Sequence, residues 1–142
     1  MKKKEYIAKN LDELDKITKK IILEYSNQSL FCLYGDLGAG KTTTAYYLVK
    51  NLIGESAVTS PTYNILNIYN SEKIKIFHYD LYRLKHVEEI NEIGLLDQLD
   101  EGITIIEWPE ISHSFISKIE RVNIKIKITR NYIRNIYVEL LK

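Results

Sequence analysis

The feature of the sequence that most constrains the fold is a glycine-rich segment that directly follows a short apolar run. The apolar run Leu30–Tyr34 has polar flanks and the length of a buried strand. Residues 41–53 have the pattern of a helix that ends at Gly54. The segment between them fits G-x-x-x-x-G-K-[ST] without a mismatch, as Gly35-Asp36-Leu37-Gly38-Ala39-Gly40-Lys41-Thr42. We therefore predict a strand–loop–helix unit at this point of the chain.

This unit predicts a site for a nucleoside triphosphate with Mg²⁺, at residues 35–43. Successive backbone N–H groups of such a loop point inward and cradle a phosphate. The helix that follows adds the positive end of its dipole at the same point. Lys41 is expected to reach the β- and γ-phosphate oxygens, and the Thr42 hydroxyl to ligate Mg²⁺. The alternative, a chance match at a glycine-rich helix start, is disfavoured by the strand before it and the helix after it.

The remaining patterns alternate strands with helices early in the chain and pair strands late. Asn10 is placed as the N-cap of an amphipathic helix over 11–25, with Glu13 in the capping-box position. Residues 63–69 and 73–79 have the pattern of a hairpin. The later elements are a helical segment broken at Gly94, a buried strand, a short helix and an antiparallel strand pair, at 86–99, 103–106, 111–117, and 121–129 with 132–140.

These elements predict one α/β domain over residues 1–142. The expected fold is a three-layer, P-loop NTPase-like domain whose mixed sheet has a parallel centre and antiparallel strands toward the C-terminus. The length suits one domain, and the net charge of +1 gives no general reason to bind nucleic acid or a membrane. Without a signal-peptide pattern or a long apolar run, we expect a cytoplasmic protein. The one cysteine, Cys32, lies in an apolar run and is expected to be a buried hydrophobe.

Two carboxylates follow apolar strand patterns and could complete the site. Glu107 ends the run Ile103–Ile106, and Asp80 follows the run that includes His78. In open α/β sheets, ligands bind outside the carboxyl ends of the strands. Glu107 is the better candidate for Mg²⁺, and Asp80 for placing or activating the attacking water, although the roles could be exchanged. Each could instead be a helix cap or an ordinary surface residue.

Three further features near these strands have two interpretations each. Trp108 follows Glu107 and could shield the site or face a partner, although a tryptophan alone is more often a core residue. His78 shares a strand face with Asp80 and is more typical of a structural hydrogen-bonding group than of a base. The segment Ser60-Pro61-Thr62 is either an ordinary turn or a switch that senses the γ-phosphate.

Four motifs taken together resemble the TsaE family, formerly called YjeE. The resemblance covers about residues 8–140, and the order and spacing of all four motifs make it specific. The motifs are Gly35-Asp36-Leu37-Gly38-Ala39-Gly40-Lys41-Thr42-Thr43, Ser60-Pro61-Thr62-Tyr63, His78-Tyr79-Asp80-Leu81-Tyr82-Arg83-Leu84 and Ile106-Glu107-Trp108-Pro109-Glu110. These proteins are bacterial ATPases of tRNA threonylcarbamoyladenosine biosynthesis.

The resemblance implies an activity and partners that composition alone does not indicate. Such proteins bind and slowly hydrolyse ATP, and they associate with the TsaD–TsaB pair, which transfers a threonylcarbamoyl group to adenosine-37 of tRNA. The contact with tRNA is then indirect, and hydrolysis supports repeated turnovers of the pair. The main alternative is a small-molecule or nucleoside kinase, and a second is a nucleotide-dependent scaffold without enzymatic activity.

The same resemblance assigns roles to residues of this chain. Thr42 and Glu107 are expected to hold Mg²⁺, and Lys41 and Asp80 are the candidate catalytic residues. The nucleotide-binding set is Asp36, Gly38, Ala39, Gly40, Lys41, Thr42, Thr43, Trp108 and Arg134. For the contact from the C-terminal strands, Arg130 is the alternative to Arg134.

Overall fold

The computed structural model describes residues 3–54 and 64–142, which form a mixed sheet with helices on both faces. The strands are β1 Lys3–Ala8, β2 Leu30–Tyr34, β3 Leu66–Asn70, β4 Lys75–Asp80, β5 Ile103–Glu107, β6 Arg121–Ile128 and β7 Arg134–Leu141. The helices are α1 Leu11–Glu24, α2 Lys41–Ile53, α3 Glu89–Glu92, α4 Leu95–Gln98 and α5 His113–Ile116, and a 3₁₀ turn, Pro109–Ser112, leads into α5. In the described residues, no helix is long and apolar enough to cross a membrane.

The sheet has the predicted parallel centre and antiparallel edges. Its strand order is β1-β7-β6-β2-β5-β4-β3. Strands β6, β2, β5 and β4 are parallel to their neighbours within this group, while β3 and β7 pair antiparallel with β4 and β6. The strand that carries the glycine-rich loop, β2, therefore lies between β6 and β5. This position brings the ends of three parallel strands to the edge where the loop begins.

The placement of β1 is the part of the topology that the sequence pattern did not reveal. Although β1 is followed by a helix and then by β2, it pairs antiparallel with β7, with Tyr6 opposite Ile136. It is thus an edge strand at the far side of the sheet from β3. The first and last strands of the chain are adjacent, a contact between residues so far apart in sequence that no local pattern encodes it.

Helix α1 begins where the capping pattern predicts. The Asn10 side chain accepts a hydrogen bond from the Glu13 backbone N–H at 2.8 Å. The Glu13 carboxylate reaches one residue further back than the usual capping box and accepts from the Lys9 N–H, also at 2.8 Å. The bond to Asn10 satisfies an N–H group that the first helical turn leaves without a helical partner. The buried stripe Leu14, Ile17 and Ile21 then faces the sheet.

Two separate apolar cores confirm the three-layer architecture. On one face, buried residues of α1 and α2 pack on alternate residues of the central strands, including Phe31, Leu33 and Ile105. On the other face, Ile90, Leu95 and Ile116 of the short helices pack on the strand residues Leu30, Cys32, Phe77, Tyr79 and Ile106. Since side chains alternate across a strand, one strand supplies both cores.

Several predicted bounds shift by a few residues, the predicted break at Gly94 is confirmed, and one helix begins differently from the prediction. The hairpin strands β3 and β4 begin later than predicted, and β5 continues through Glu107. The predicted helical segment 86–99 forms two short helices, since Gly94 has a φ of 73° and interrupts the turns. The predicted helix at 111–117 instead begins as a 3₁₀ turn at Pro109.

The lone thiol is expected to be unreactive in the folded protein. Cys32 is fully buried, and burial raises its pKa to about 12, so the nucleophilic thiolate is scarce at neutral pH. We expect iodoacetamide at pH 8 to leave the native protein unmodified and to alkylate it after unfolding in guanidinium, as measured by intact mass. Rapid alkylation of the native protein would contradict this placement.

Candidate functional site

The glycine loop, residues 35–40, joins β2 to α2 in the predicted strand–loop–helix arrangement. Gly38 and Gly40 have φ angles of 83° and 100°, in the left-handed region where a side chain is strained. Gly40 also leaves room for a neighbour, because a Cβ atom built on it would lie 2.6 Å from Arg134 Nε. The N–H groups of the first turn of α2, from Lys41 onward, lack helical acceptors and remain available to an anion.

Lys41 lies buried at the start of α2 and is held against its own loop. Its Nζ donates to the backbone carbonyls of Gly35, at 2.5 Å, and of Asp36, at 2.8 Å. The same ammonium lies 4.0 Å from the centre of the Trp108 ring. Burial lowers the Lys41 pKa, while the negative charges of nearby carboxylates, Glu107 first, oppose that shift. The pocket therefore holds a partly desolvated cation poised for an anionic ligand.

Thr42 and Glu107 bring together two side-chain oxygen atoms that could ligate a cation. The Thr42 hydroxyl donates to Glu107 Oε1 at 2.8 Å. Glu107 ends the buried strand β5 and is 2% exposed, so its carboxylate is fixed inside the protein. Hydroxyl and carboxylate oxygens are the ligands that Mg²⁺ prefers. These two oxygen ligands fit Mg²⁺, the metal predicted from the sequence.

His78 contacts the other oxygen of the same carboxylate. Its Nε2 lies 2.6 Å from Glu107 Oε2, and both side chains are buried. The sequence placed His78 on one face with Asp80 but did not reveal its contact with Glu107. The missing information is the pairing of β4 with β5, which sets His78 near the end of the neighbouring strand.

Asp80 ends β4 directly beside Glu107. The two carboxylates are register partners on neighbouring parallel strands. The Tyr82 N–H donates to Asp80 Oδ1 at 3.1 Å, which orients the side chain. Burial raises the Asp80 pKa, with a further contribution from the Glu107 charge, and the bond from Tyr82 opposes the shift. A carboxylate in this state is a better proton acceptor than an exposed aspartate.

Trp108 packs against the second apolar core and also lines the site. Its φ of 55° is uncommon for a residue with a side chain, and it precedes Pro109. This backbone turn directs the indole against Lys41 and against the Tyr82 ring, whose centre is 4.8 Å away. Tyr82 was not predicted as a site residue, and its place in the third motif, His78–Leu84, gave no separate signal.

Arg134 reaches the loop from β7, whereas Glu107 comes from β5, which lies on the opposite side of β2 in the strand order. Its Nε is buried and has no hydrogen-bond partner among the described residues, and it abuts Gly40. Arg130, the alternative that the sequence left open, is exposed in the turn between β6 and β7. The structure thus places Arg134, and not Arg130, against the loop.

One pocket of about 340 Å³ collects most of the predicted residues. Its lining is Leu37, Gly38, Gly40, Lys41, Thr42, Thr43, Asp80, Tyr82, Glu107, Trp108 and Arg134. Two predicted residues do not line it: the Asp36 side chain is exposed, and Ala39 is buried in the core, with its N–H bonded to the Asp36 carbonyl. The possible switch at Ser60-Pro61-Thr62 lies outside the described residues.

The sheet order and the loop between β2 and α2 define an α/β protein of the P-loop NTPase-like class. The family model described as "Threonylcarbamoyl adenosine biosynthesis protein TsaE" matches residues 8–136. The chain belongs to the TsaE family, as the four motifs predicted.

Individual relatives support the same assignment. The chain is 38% identical over 122 residues to a Rickettsia felis protein, covering 84% of this chain and 71% of that one. It is 43% identical over 101 residues to a protein of Borreliella burgdorferi, covering 70% and 73% of the two chains. Both relatives are named tRNA threonylcarbamoyladenosine biosynthesis protein TsaE. The crystal structure of YdiB from Bacillus subtilis is similar in fold, with a TM-score of 0.75 and 26% identity over 99% of this chain and 87% of that one.

Proposed function

We propose that this protein binds ATP with Mg²⁺, hydrolyses it slowly and serves the threonylcarbamoylation of adenosine-37 in tRNA together with the TsaD and TsaB proteins. The observation that carries the proposal is the convergence of Lys41, Thr42, Glu107 and Asp80 on one pocket at the start of α2. Family membership supports the link to tRNA modification. In this proposal the protein acts in the cytoplasm and reaches tRNA only through its partners.

The residues of the glycine loop and α2 bind the phosphates. ATP supplies the phosphoanhydride bond whose cleavage releases phosphate, and Mg²⁺ neutralises charge on its oxygens. The N–H groups at the start of α2 donate to phosphate oxygens, and Lys41 places a positive charge beside them. Thr42 Oγ1 and Glu107 Oε1 are already within 2.8 Å of each other, so both can face one cation. Arg134, whose buried Nε has no hydrogen-bond partner in the part of the chain that the structure describes, adds a second cation beside Gly40.

Asp80 orients the attacking water and accepts its proton. Its neighbour Glu107 is occupied by Thr42 and His78, which leaves Asp80 as the carboxylate available to water. The raised pKa of Asp80 makes this carboxylate a better proton acceptor than an exposed aspartate. Trp108 and Tyr82 cover one side of the pocket and limit the access of bulk solvent.

Phosphate release measured with and without the partner proteins tests the proposal. We expect slow release from ATP and Mg²⁺ by the protein alone, and faster release after addition of TsaD and TsaB. The Lys20→Ala variant, which removes an exposed lysine on α1, is the matched control and should behave as the parent protein. Absence of release under both conditions would overturn the hydrolytic function. If a phosphorylated small molecule or nucleoside accumulates instead, the protein is a kinase.

A further inference from the structure

The Glu107 carboxylate is held by one hydrogen bond on each oxygen. Thr42 donates to Oε1, and His78 Nε2 lies 2.6 Å from Oε2. The side chains of His78 and Glu107 are 9% and 3% exposed, so water does not replace this contact. The proposed function gives roles to Thr42 and Glu107 and none to the buried imidazole.

The strand pairing explains why His78 can reach this oxygen. In the parallel pair β4–β5, Asp80 is opposite Glu107. His78 is opposite Ile105, two residues further back along each strand and therefore on the same face. The imidazole thus lies on the same face of the sheet as the Glu107 side chain, while α2 brings Thr42 to the other oxygen. The two contacts leave the carboxylate little freedom to rotate.

The polarity of the contact follows from the chemistry of the two groups. An ionised carboxylate only accepts hydrogen bonds, so Nε2 carries a hydrogen and donates a hydrogen bond to Oε2. A nitrogen engaged in this way is not available to take a proton from water. His78 is therefore unsuited to be the general base through Nε2.

We propose that His78 is a positioning residue: by donating to Oε2, it holds Glu107 so that Oε1 faces Thr42 and the cation. This inference rests on the proposed function, since it concerns the same Mg²⁺–nucleotide site. Hydrogen bonds to ligating carboxylates fix their orientation, and removing such a partner typically lowers metal affinity about 10- to 100-fold. Without the imidazole, Oε2 would also remain buried without a donor, and the carboxylate could turn to find one.

The test compares the gain in ATP affinity that Mg²⁺ provides across matched variants. Isothermal titration calorimetry gives the Kd for ATP in EDTA and in Mg²⁺, and the ratio of the two is the Mg²⁺ gain. We expect His78→Ala to lower this gain about 10- to 100-fold while the Kd in EDTA changes little. In His78→Gln, the amide Nε2 can replace the imidazole donor and should restore most of the gain. His113→Ala, which removes an exposed histidine, is the control.

The outcomes separate the inference from the function on which it rests. If the parent protein shows a Mg²⁺ gain and His78→Ala keeps all of it, the positioning role is wrong and the proposed function stands. Equal losses in EDTA and in Mg²⁺, unrelieved in His78→Gln, would also overturn the role, since they indicate general damage to the fold. If the parent protein itself gains nothing from Mg²⁺, the proposed function fails and the inference with it. If His78→Ala does not fold, as judged by Tm, the Mg²⁺ gain of His78→Gln is compared with that of His78→Leu, whose side chain has no hydrogen-bond donor. Equal gains in these two variants would overturn the positioning role.

Discussion

Replacing Lys41 with alanine is expected to weaken ATP binding by about 100-fold or more. Hydrogen bonds to charged groups contribute about 1.5–3 kcal/mol each, and 1.4 kcal/mol corresponds to a tenfold change in Kd. Lys41 is 5% exposed and points into the loop, so its ammonium is desolvated before any phosphate arrives. Two charged bonds to phosphate oxygens therefore account for the expected loss.

Calorimetry with ATP and Mg²⁺ measures this effect, and Lys20→Ala on the exposed face of α1 is the control. Lys41 also bonds the carbonyls of Gly35 and Asp36, so the variant's Tm must be measured alongside. A folded Lys41→Ala protein that binds ATP as tightly as the parent would remove the glycine loop from the nucleotide site.

Replacing Asp80 with asparagine is expected to separate hydrolysis from binding. The variant should keep ATP affinity within a few-fold, because Lys41, Thr42 and Glu107 remain, while phosphate release falls about 100-fold or more, the usual contribution of a general base. The asparagine oxygen can still accept the Tyr82 N–H, so the local turn is preserved. Phosphate release at saturating ATP gives the rate, and calorimetry gives the affinity. Unchanged release would exclude Asp80 from the hydrolytic step.

The same variant is expected to be more stable than the parent protein at neutral pH. The folded state raises the Asp80 pKa above the usual aspartate value of 3.8, mainly through burial, so ionisation of this group costs folding free energy. Below pH 3.8 the carboxyl is protonated in both states and the cost vanishes. It develops as the pH rises through the folded-state pKa. The Tm advantage of Asp80→Asn should therefore be largest near pH 7 and shrink toward acid. A constant or reversed difference would contradict the assigned pKa direction.

The glycine loop is the part of the site that local sequence encodes well. An apolar run, three glycines and a lysine–threonine pair specify a strand, a turn with left-handed residues and a helix start, all within consecutive residues. The bounds of β2 and α2 agree with the sequence prediction for the same reason. Each of these features depends on backbone conformation and short-range burial, which the residues themselves determine.

The carboxylates show where the sequence became insufficient. Glu107 and Asp80 were each predicted at a strand end, but their roles remained exchangeable. The parallel pairing of β4 with β5 makes them neighbours, and the start of α2 brings Thr42 to Glu107 and not to Asp80. That choice depends on a register between segments separated by the short helices α3 and α4, which no local pattern contains.

The sequence by itself determined the α/β class, the glycine loop and, through four motifs, the family. Only the tertiary structure decided that β1 joins β7, that Arg134 and not Arg130 reaches Gly40, and that His78 holds the free oxygen of Glu107. The physical reason is the range of the interactions. Turn conformation and strand burial are set by neighbouring residues, whereas the chemistry of the pocket depends on side chains that strand order and register bring together.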